Sequence, residues 1–401
     1  MSKQTNEQLL LLSAAEQSRR LGRVCAAMRA AGIDAALIST NANIYYLTGR
    51  VFRGYIYLTA DETAAPVYFV RRPNHLTGDD IVFIHKIEEM PQTVDVSALR
   101  GAVIGLETGV ESYNDVCRMA KVFGEHVMPA NMTAVMQSAR SVKTAEEIDK
   151  LRLSGVKQTR VYSRIPHLYQ EGMRDIELQV EIERTARLEG CLGQFRVSGN
   201  DMELFMGNVL VGENADSPSP YDFAMGGRGM DPSLPVGADG TLIKPGESVM
   251  VDLNGDFTGY MTDMTRCYAL EELPAEAVRA HKLSIDICRA IADKGREGTE
   301  ARALYELAVS MAREAGLENN FMGHRQHAGF VGHGVGIEIN ELPVLAPRSR
   351  AVLEAGNVIA VEPKFVIPGV GAVGIENTYV VNAGAPMTQL TTAPEDIVYF
   401  D

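Results

Sequence analysis

The chain has 401 residues, of which 46% are apolar and 22% charged, and a formal net charge of −14. That length suits two or three domains, and the composition is that of an ordinary globular protein with a large core. The acidic balance argues against nucleic acid or an anionic membrane surface as a partner, because both demand a basic face.

At the N-terminus, Leu9–Leu12 is the only short apolar stretch, and Glu7 and Glu16 flank it. It is too short for a signal-peptide core, and no run along the chain approaches a membrane span. The five cysteines are scattered, odd in number and without a CxxC pair, which predicts a reducing compartment and a cytoplasmic location. A helix is predicted from about Ala14 to Ala31, with Leu21, Val24, Ala27, Met28 and Ala31 on one face and Gly32 as its stop. Strands are predicted at Ala35–Ile38, Tyr55–Leu58, Val67–Val70, Ile81–Ile84 and Val103–Leu106, so the first part reads as an α/β domain ending near residues 135–142. Thr144 followed by Glu147 fits a capping box that opens a helical stretch to Glu189. Further helical blocks run from about Pro274 to Gly295 and from Glu300 to Gly316. Strand pairs with glycine-rich turns lie between and after them, the pattern of an α+β domain.

The most informative segment runs from Val249 to Leu270. Asp252 lies on one flank and Asp263 on the other, around Gly255-Asp-Phe-Thr-Gly259. A turn centred near Phe257 puts Asp252 opposite residue 262, and a small register offset brings in Asp263. The arrangement recurs near the C-terminus. There Glu362 and Glu376 are equidistant from Gly369 in a Pro368-Gly369 turn. Taken singly, each acid reads as a solvated surface residue. Two hairpins with acids at mirrored positions do not, because carboxylates about 4 Å apart repel by roughly 4 kcal/mol at an effective dielectric of about 20. Four carboxylates balance two divalent cations. His333, within Gly332-His-Gly-Val-Gly336, has glycines on both sides that let backbone approach closely. That stretch lacks the Lys-Ser/Thr of a phosphate loop and does not match GxGxxG.

In this order the segments resemble the pita-bread metallopeptidases, the family of Xaa-Pro aminopeptidases, prolidases, methionine aminopeptidases and creatinase. Asn43-Ile-Tyr-Tyr-Leu-Thr-Gly49 is similar to the N-terminal creatinase-like domain of proline-specific members, and Arg140-Ser-Val-Lys-Thr-Ala-Glu-Glu-Ile148 to the entry of the catalytic domain. Gly259–Arg266, Gly332–Gly336, Val361-Glu-Pro363 and Gly374-Ile-Glu-Asn-Thr378 follow in family order. The resemblance implies an α/β creatinase-like N-terminal domain over 1–138 and an α+β pita-bread catalytic domain over 139–401. It implies five metal ligands. Asp252 binds one metal, Asp263 and Glu376 bridge both, and His333 and Glu362 bind the second. Two divalent ions are expected, Mn or Co first, with Zn or Fe as alternatives for such an oxygen-and-imidazole set. Glu362 and His333 are the catalytic candidates, with Glu362 shuttling the proton from attacking water to the leaving nitrogen. The implied assembly is a homodimer whose N-terminal domain reaches toward the partner's site.

The chain departs from the family around that shell. Asn340 stands where a histidine is usual, seven residues after His333. Gly329 stands where another histidine is often found, with His327 two residues earlier. Ser219 follows Asn214-Ala-Asp-Ser-Pro218 in place of the second residue of a Pro-His pair, and Gly374 replaces an arginine. Asn340, Ser219 and His327 are the substrate-binding candidates. The leading expectation is hydrolysis of Xaa-Pro bonds by a dipeptidase or aminopeptidase, on a peptide or small-molecule substrate. The second is a metalloenzyme of the same fold acting on a small non-peptide amide or related metabolite. The third is a non-catalytic binding module, which metal analysis distinguishes from the other two.

Overall fold

The computed structural model describes residues 7–99, 101–124, 127–199, 204–221 and 223–401. The chain divides into two compact units, Met1–Arg140 and Ser141–Asp401.

The first unit is built on a six-stranded sheet in the order Ile81–Phe83, Val67–Arg72, Arg53–Thr59, Ala35–Ile38, Ile104–Leu106 and Ala130–Asn131. All four residues of Ala35–Ile38 are buried, as expected of a central strand covered on both faces. The predicted strands are present, Ala35–Ile38 with the expected ends and the other four with shifted ends, whereas the helices Asn41–Thr48, Tyr113–Phe123 and Met132–Ser141 were not foreseen. The first helix runs Ala14–Ala30, with the Ser13 hydroxyl accepting from the Glu16 amide at 3.2 Å. Its buried face differs from the predicted one. Glu16, Arg20, Val24, Cys25 and Met28 are buried, while Ala31 is exposed. The reason is an internal ion pair. Arg20 donates to Glu16 at 2.7 Å and to the Tyr46 carbonyl at 2.8 Å, so two charged side chains enter the core together.

A second buried acid organises the loops of this unit. Glu107 accepts from the Ser39 and Thr40 amides at 2.6 and 2.8 Å, from the Thr40 hydroxyl at 2.6 Å, and from the Asn43 amide group. Arg140 in turn donates to the Asn43 side-chain oxygen at 2.7 Å.

The second unit opens with the helix Ala145–Tyr162, which carries the expected Thr144–Glu147 capping box. The helical stretch is not continuous to Glu189. It tightens into a 3-10 turn at Ile165–His167, where Pro166 removes an amide donor, turns at Gly172 with φ +85°, and resumes as Asp175–Leu188. The helices Ala275–Lys294 and Ala301–Glu314 follow. Among the described residues, three sheets complete the unit. One has the order Val398–Tyr399, Met261–Ala269, Val249–Asp256 and Gly207–Val211. Another has the order Glu341–Leu345, Gly332–Gly334, Val358–Val361, Asn377–Val380 and Thr388–Gln389. The third pairs Lys364–Ile367 with Gly371–Gly374. Among the described residues no helix is long and apolar enough to cross a membrane.

Removing a buried carboxylate that accepts this many bonds orphans its donors, at about 1–3 kcal/mol for each group left unsatisfied. Glu107→Ala is therefore expected to destabilise the chain by about 3 kcal/mol, read as a lower urea midpoint, and a midpoint within error of the parent would remove Glu107 from this organising role.

Candidate metal centre

The first hairpin brings two acids onto one face of a sheet. Val249–Asp256 pairs antiparallel with Met261–Ala269, with Asp252 opposite Thr265 and Asn254 opposite Asp263. The register differs from the sequence expectation, which placed residue 262 opposite Asp252. The loop lies later than Phe257, because Asp256 still pairs with Met261 and its carboxylate accepts from the Gly259 amide at 2.8 Å. Asp252 and Asp263 are thus diagonal neighbours on the same face.

The second hairpin keeps the predicted register but is interrupted at the acids. Val361 pairs with Asn377 and Lys364 with Gly374, and between these pairs the ladder opens at Glu362-Pro363 and Ile375-Glu376. Pro363 has no amide to give the ladder. The amides of the two acids point away from this pairing, to neighbouring strands. Glu362 N donates to Val331 O at 3.0 Å, beside the His333 strand, and Glu376 N donates to Thr265 O at 3.2 Å, in the first hairpin. Ser284, from the helix Ala275–Lys294, fills the gap: its hydroxyl accepts from Ile375 N at 2.9 Å and donates to Pro363 O. Both hairpins and the His333 strand are thus bonded together at one point. Gly332 and Gly334 make the third approach possible. A Cβ on either would collide with the carbonyl of Ala360 or Leu342 respectively.

Two groups of side chains converge there with ligand atoms within 4.8 Å of one another: Asp263, His333 and Glu376, and Asp252, Glu362 and Glu376. His333 Nε2 lies 3.3 Å from Glu362 Oε1 and 3.9 Å from Asp263 Oδ2, and its Nδ1 lies 3.1 Å from the Gly334 carbonyl oxygen. The Thr265 hydroxyl donates to Glu376 Oε2 at 2.8 Å. Lys364, which the sequence reading passed over, is wholly buried. Its ammonium donates to Glu362 Oε2 at 2.7 Å, Asp252 Oδ2 at 2.8 Å and Glu376 Oε2 at 3.3 Å. Period-two alternation placed it on the face of Glu362, and a lysine amid Val361, Phe365, Val366 and Ile367 was the available signal.

Burial, reinforced by the Asp252 charge, pushes the Asp263 carboxyl up to about 7. Burial, with the charges of Asp263 and Glu362, also raises Glu376. Burial acts the same way on Glu362, but the Lys364 ammonium and His333 outweigh it and hold that carboxyl at about 2. Burial disfavours the His333 cation, yet Glu362 and Asp263 keep it protonated up to about 9.

The donor set suits a divalent ion of the Mn, Co, Fe or Zn type. Two observations support the fit. Glu376 Oε1 is buried with no hydrogen-bond partner, and the Gly334 carbonyl can hold the His333 Nδ1 proton, leaving Nε2 to bind.

These acids line one wall of a cavity of about 190 Å³ whose other walls include Phe195, Phe223, Phe330, Ile339 and Val344. Asn340 is also on the wall, but its amide is engaged. It accepts from Ser198 N at 2.7 Å and donates to Ser198 O at 3.1 Å. Ser219 lines a separate small cavity, donating to Pro235 O at 2.9 Å. His327 is exposed, with Nδ1 at 3.0 Å from Phe321 O, and does not line the cavity. At Gly374, φ is +139° and a Cβ would lie 2.7 Å from Pro363 O, so this backbone has no room for a side chain.

Residues 149–383 match the model of metallopeptidase family M24, and residues 20–142 match the creatinase/prolidase N-terminal domain. The chain is 26% identical over 378 residues to the uncharacterized peptidase YqhT of Bacillus subtilis, covering 92% of this chain and 96% of that one. It is 24% identical over 370 residues to the Xaa-Pro dipeptidase of Pyrococcus furiosus, covering 90% and 94%. The Xaa-Pro dipeptidase structure from Bacillus anthracis superposes with a TM-score of 0.77 at 22% identity, covering 96% of this chain and 99% of that one. The first unit is thus a creatinase-type N-terminal domain and the second a pita-bread catalytic domain.

The Thr265 hydroxyl orients Glu376, and loss of such a supporting partner typically costs about 10–100-fold in metal affinity. Thr265→Val is expected to weaken Mn binding by that factor in competition with a fluorescent chelator, and unchanged affinity would show that the hydroxyl does not orient the ligand.

Proposed function

The chain belongs to metallopeptidase family M24, and from that premise we propose that it hydrolyses Xaa-Pro peptide bonds as a metal-dependent dipeptidase or aminopeptidase. The observation that carries this reading is the convergence of Asp252, Asp263, His333, Glu362 and Glu376 on one wall of a small, otherwise aromatic and aliphatic cavity. A divalent ion held by these side chains, Mn or Co by the donor set, supplies Lewis acidity when bound.

The rest of the work falls to the chain itself. The Phe195, Phe223 and Phe330 wall excludes water and accepts an apolar ring. An Xaa-Pro bond offers such a ring, and its nitrogen carries no N–H for a backbone-pairing pocket to grip. At about 190 Å³ the cavity is smaller than the ~300–1,000 Å³ typical of drug-sized ligand sites, which favours short substrates. Glu362 is ionised at neutral pH, with one oxygen held by Lys364 and the other facing His333. It takes the proton of the attacking water and delivers it to the leaving nitrogen.

A second reading, hydrolysis of a small non-peptide amide, draws on the polar wall. Asn340 spends its amide on Ser198, and Ser219 lies elsewhere, so fewer donors remain to steady a peptide carbonyl.

Glu362→Gln is expected to lower turnover at least about a hundredfold with metal still bound, because a general acid–base contributes roughly 10²–10⁴. Near-normal turnover would remove Glu362 from the proton path. A panel of Xaa-Pro dipeptides, Xaa-Pro-Yaa tripeptides and Xaa-Ala controls, with Mn or Co supplied, is expected to show slow or narrow cleavage confined to proline at the second position. Cleavage of none of the Xaa-Pro bonds transfers the assignment to the small-amide reading.

A further inference from the structure

We propose that Lys364 is a resident cation occupying one half of the centre, and that the chain binds one divalent ion, at Asp263, His333 and Glu376, where the four acids alone would call for two. The proposal rests on the metal-dependent reading above and concerns the number of ions, not their presence.

The two candidate ligand groups are not equivalent. Asp252, Glu362 and Glu376 form one of them, and the Lys364 ammonium contacts all three. An ammonium has three N–H donors and no acceptor, and each of these carboxylates supplies it an oxygen at 2.7–3.3 Å. The donors are saturated, and one oxygen of each carboxylate is already engaged. Carboxylate oxygens sit about 2.0–2.2 Å from an ion such as zinc, so ammonium and ion would compete for the same point. Lys364 has no exposed surface through which to withdraw, and a displaced ammonium would remain buried beside a divalent charge.

The other group looks different. The lysine makes no hydrogen bond or ion pair with Asp263 or His333. Glu376 belongs to both groups: its Oε2 is taken by Thr265 and Lys364, and its Oε1 is buried without a partner. A buried acceptor left open on Glu376, with Asp263 and His333 untouched by the ammonium and the ammonium saturated by the other acids, points to one place for a cation.

The ammonium is also placed by the fold. Lys364 stands directly across the ladder from Gly374, where this backbone leaves no space for a side chain. Lys364 is thus a positioning residue that fixes Asp252, Glu362 and Glu376.

The test uses metal-free full-length protein dialysed against saturating Mn(II), with elemental analysis and low-temperature electron paramagnetic resonance. The parent is expected to retain one ion per chain with the six-line spectrum of an isolated Mn(II). Lys364→Ala, which releases three carboxylates, is expected to take up two ions and show the multiline spectrum of an exchange-coupled pair. Lys364→Arg is expected to remain at one. Two coupled ions in the parent overturn the proposal while leaving the metallopeptidase reading intact, and this outcome does not depend on whether any variant folds. A folded Lys364→Ala protein that stays at one ion overturns the role given to the lysine. No ion bound by the parent overturns the metal-dependent reading itself, and the proposal with it.

Discussion

Burying four carboxylates within reach of one another is unfavourable unless positive charge and hydrogen-bond donors are built around them, and the catalytic unit is organised by that requirement. Each acid has its answer. Lys364 serves Asp252, Glu362 and Glu376; the Thr265 hydroxyl serves Glu376; the Met264 amide serves Asp263 at 3.1 Å; His333 stands beside Glu362. The backbone beneath is clamped in the same spirit. Arg266 is 1% exposed, and its guanidinium donates to the Thr265 and Glu376 carbonyls at 2.7 and 2.8 Å, tying the two hairpins together under the acids. Thr378 adds a second tie, exchanging bonds with the Asp263 amide and carbonyl at 2.9 Å.

The interruption at Pro363 lies at this convergence. Pro363 stands opposite Ile375, and a continuous hairpin would spend the Ile375 amide and the carbonyl of residue 363 on each other. The amides of Glu362 and Glu376 point the other way, to Val331 and Thr265, and bond the strand that carries Glu362 to the strand that carries His333. Ser284 satisfies the remaining groups at the gap, so the opening leaves fewer unmet backbone bonds in the interior.

The acids were legible in the sequence because their spacing about Gly369 is a property of register, and register follows from turn position. The first hairpin was less legible. Nearly every residue of its two strands is buried, so no apolar–polar alternation marked where the pairing began, and the turn was placed too early. Lys364 escaped because charged residues are assigned to the surface unless a partner is visible, and its partners lie across strands that the sequence does not display. Glu16 and Arg20 are i,i+4 partners on one helix, a spacing that an exposed helix face shows as well as a buried one. Asn340 was read as a substrate group from its position relative to His333. The structure places it on the cavity wall but commits its amide to the backbone of Ser198, a contact between segments 142 residues apart. Ser219 and His327 were carried by motif position alone, and motif position does not report which cavity a loop side chain enters.

The burial of Lys364 bears on when the protein needs its ion. A cluster of bare acids couples folding tightly to metal, since the apo form must either hold extra protons or bear the repulsion. With an ammonium bonded to three of the four carboxylates, part of that compensation comes from the polypeptide itself and is present as soon as the hairpins close. Survival of the fold thereby depends less on supply of the ion than it would in a cluster of bare acids.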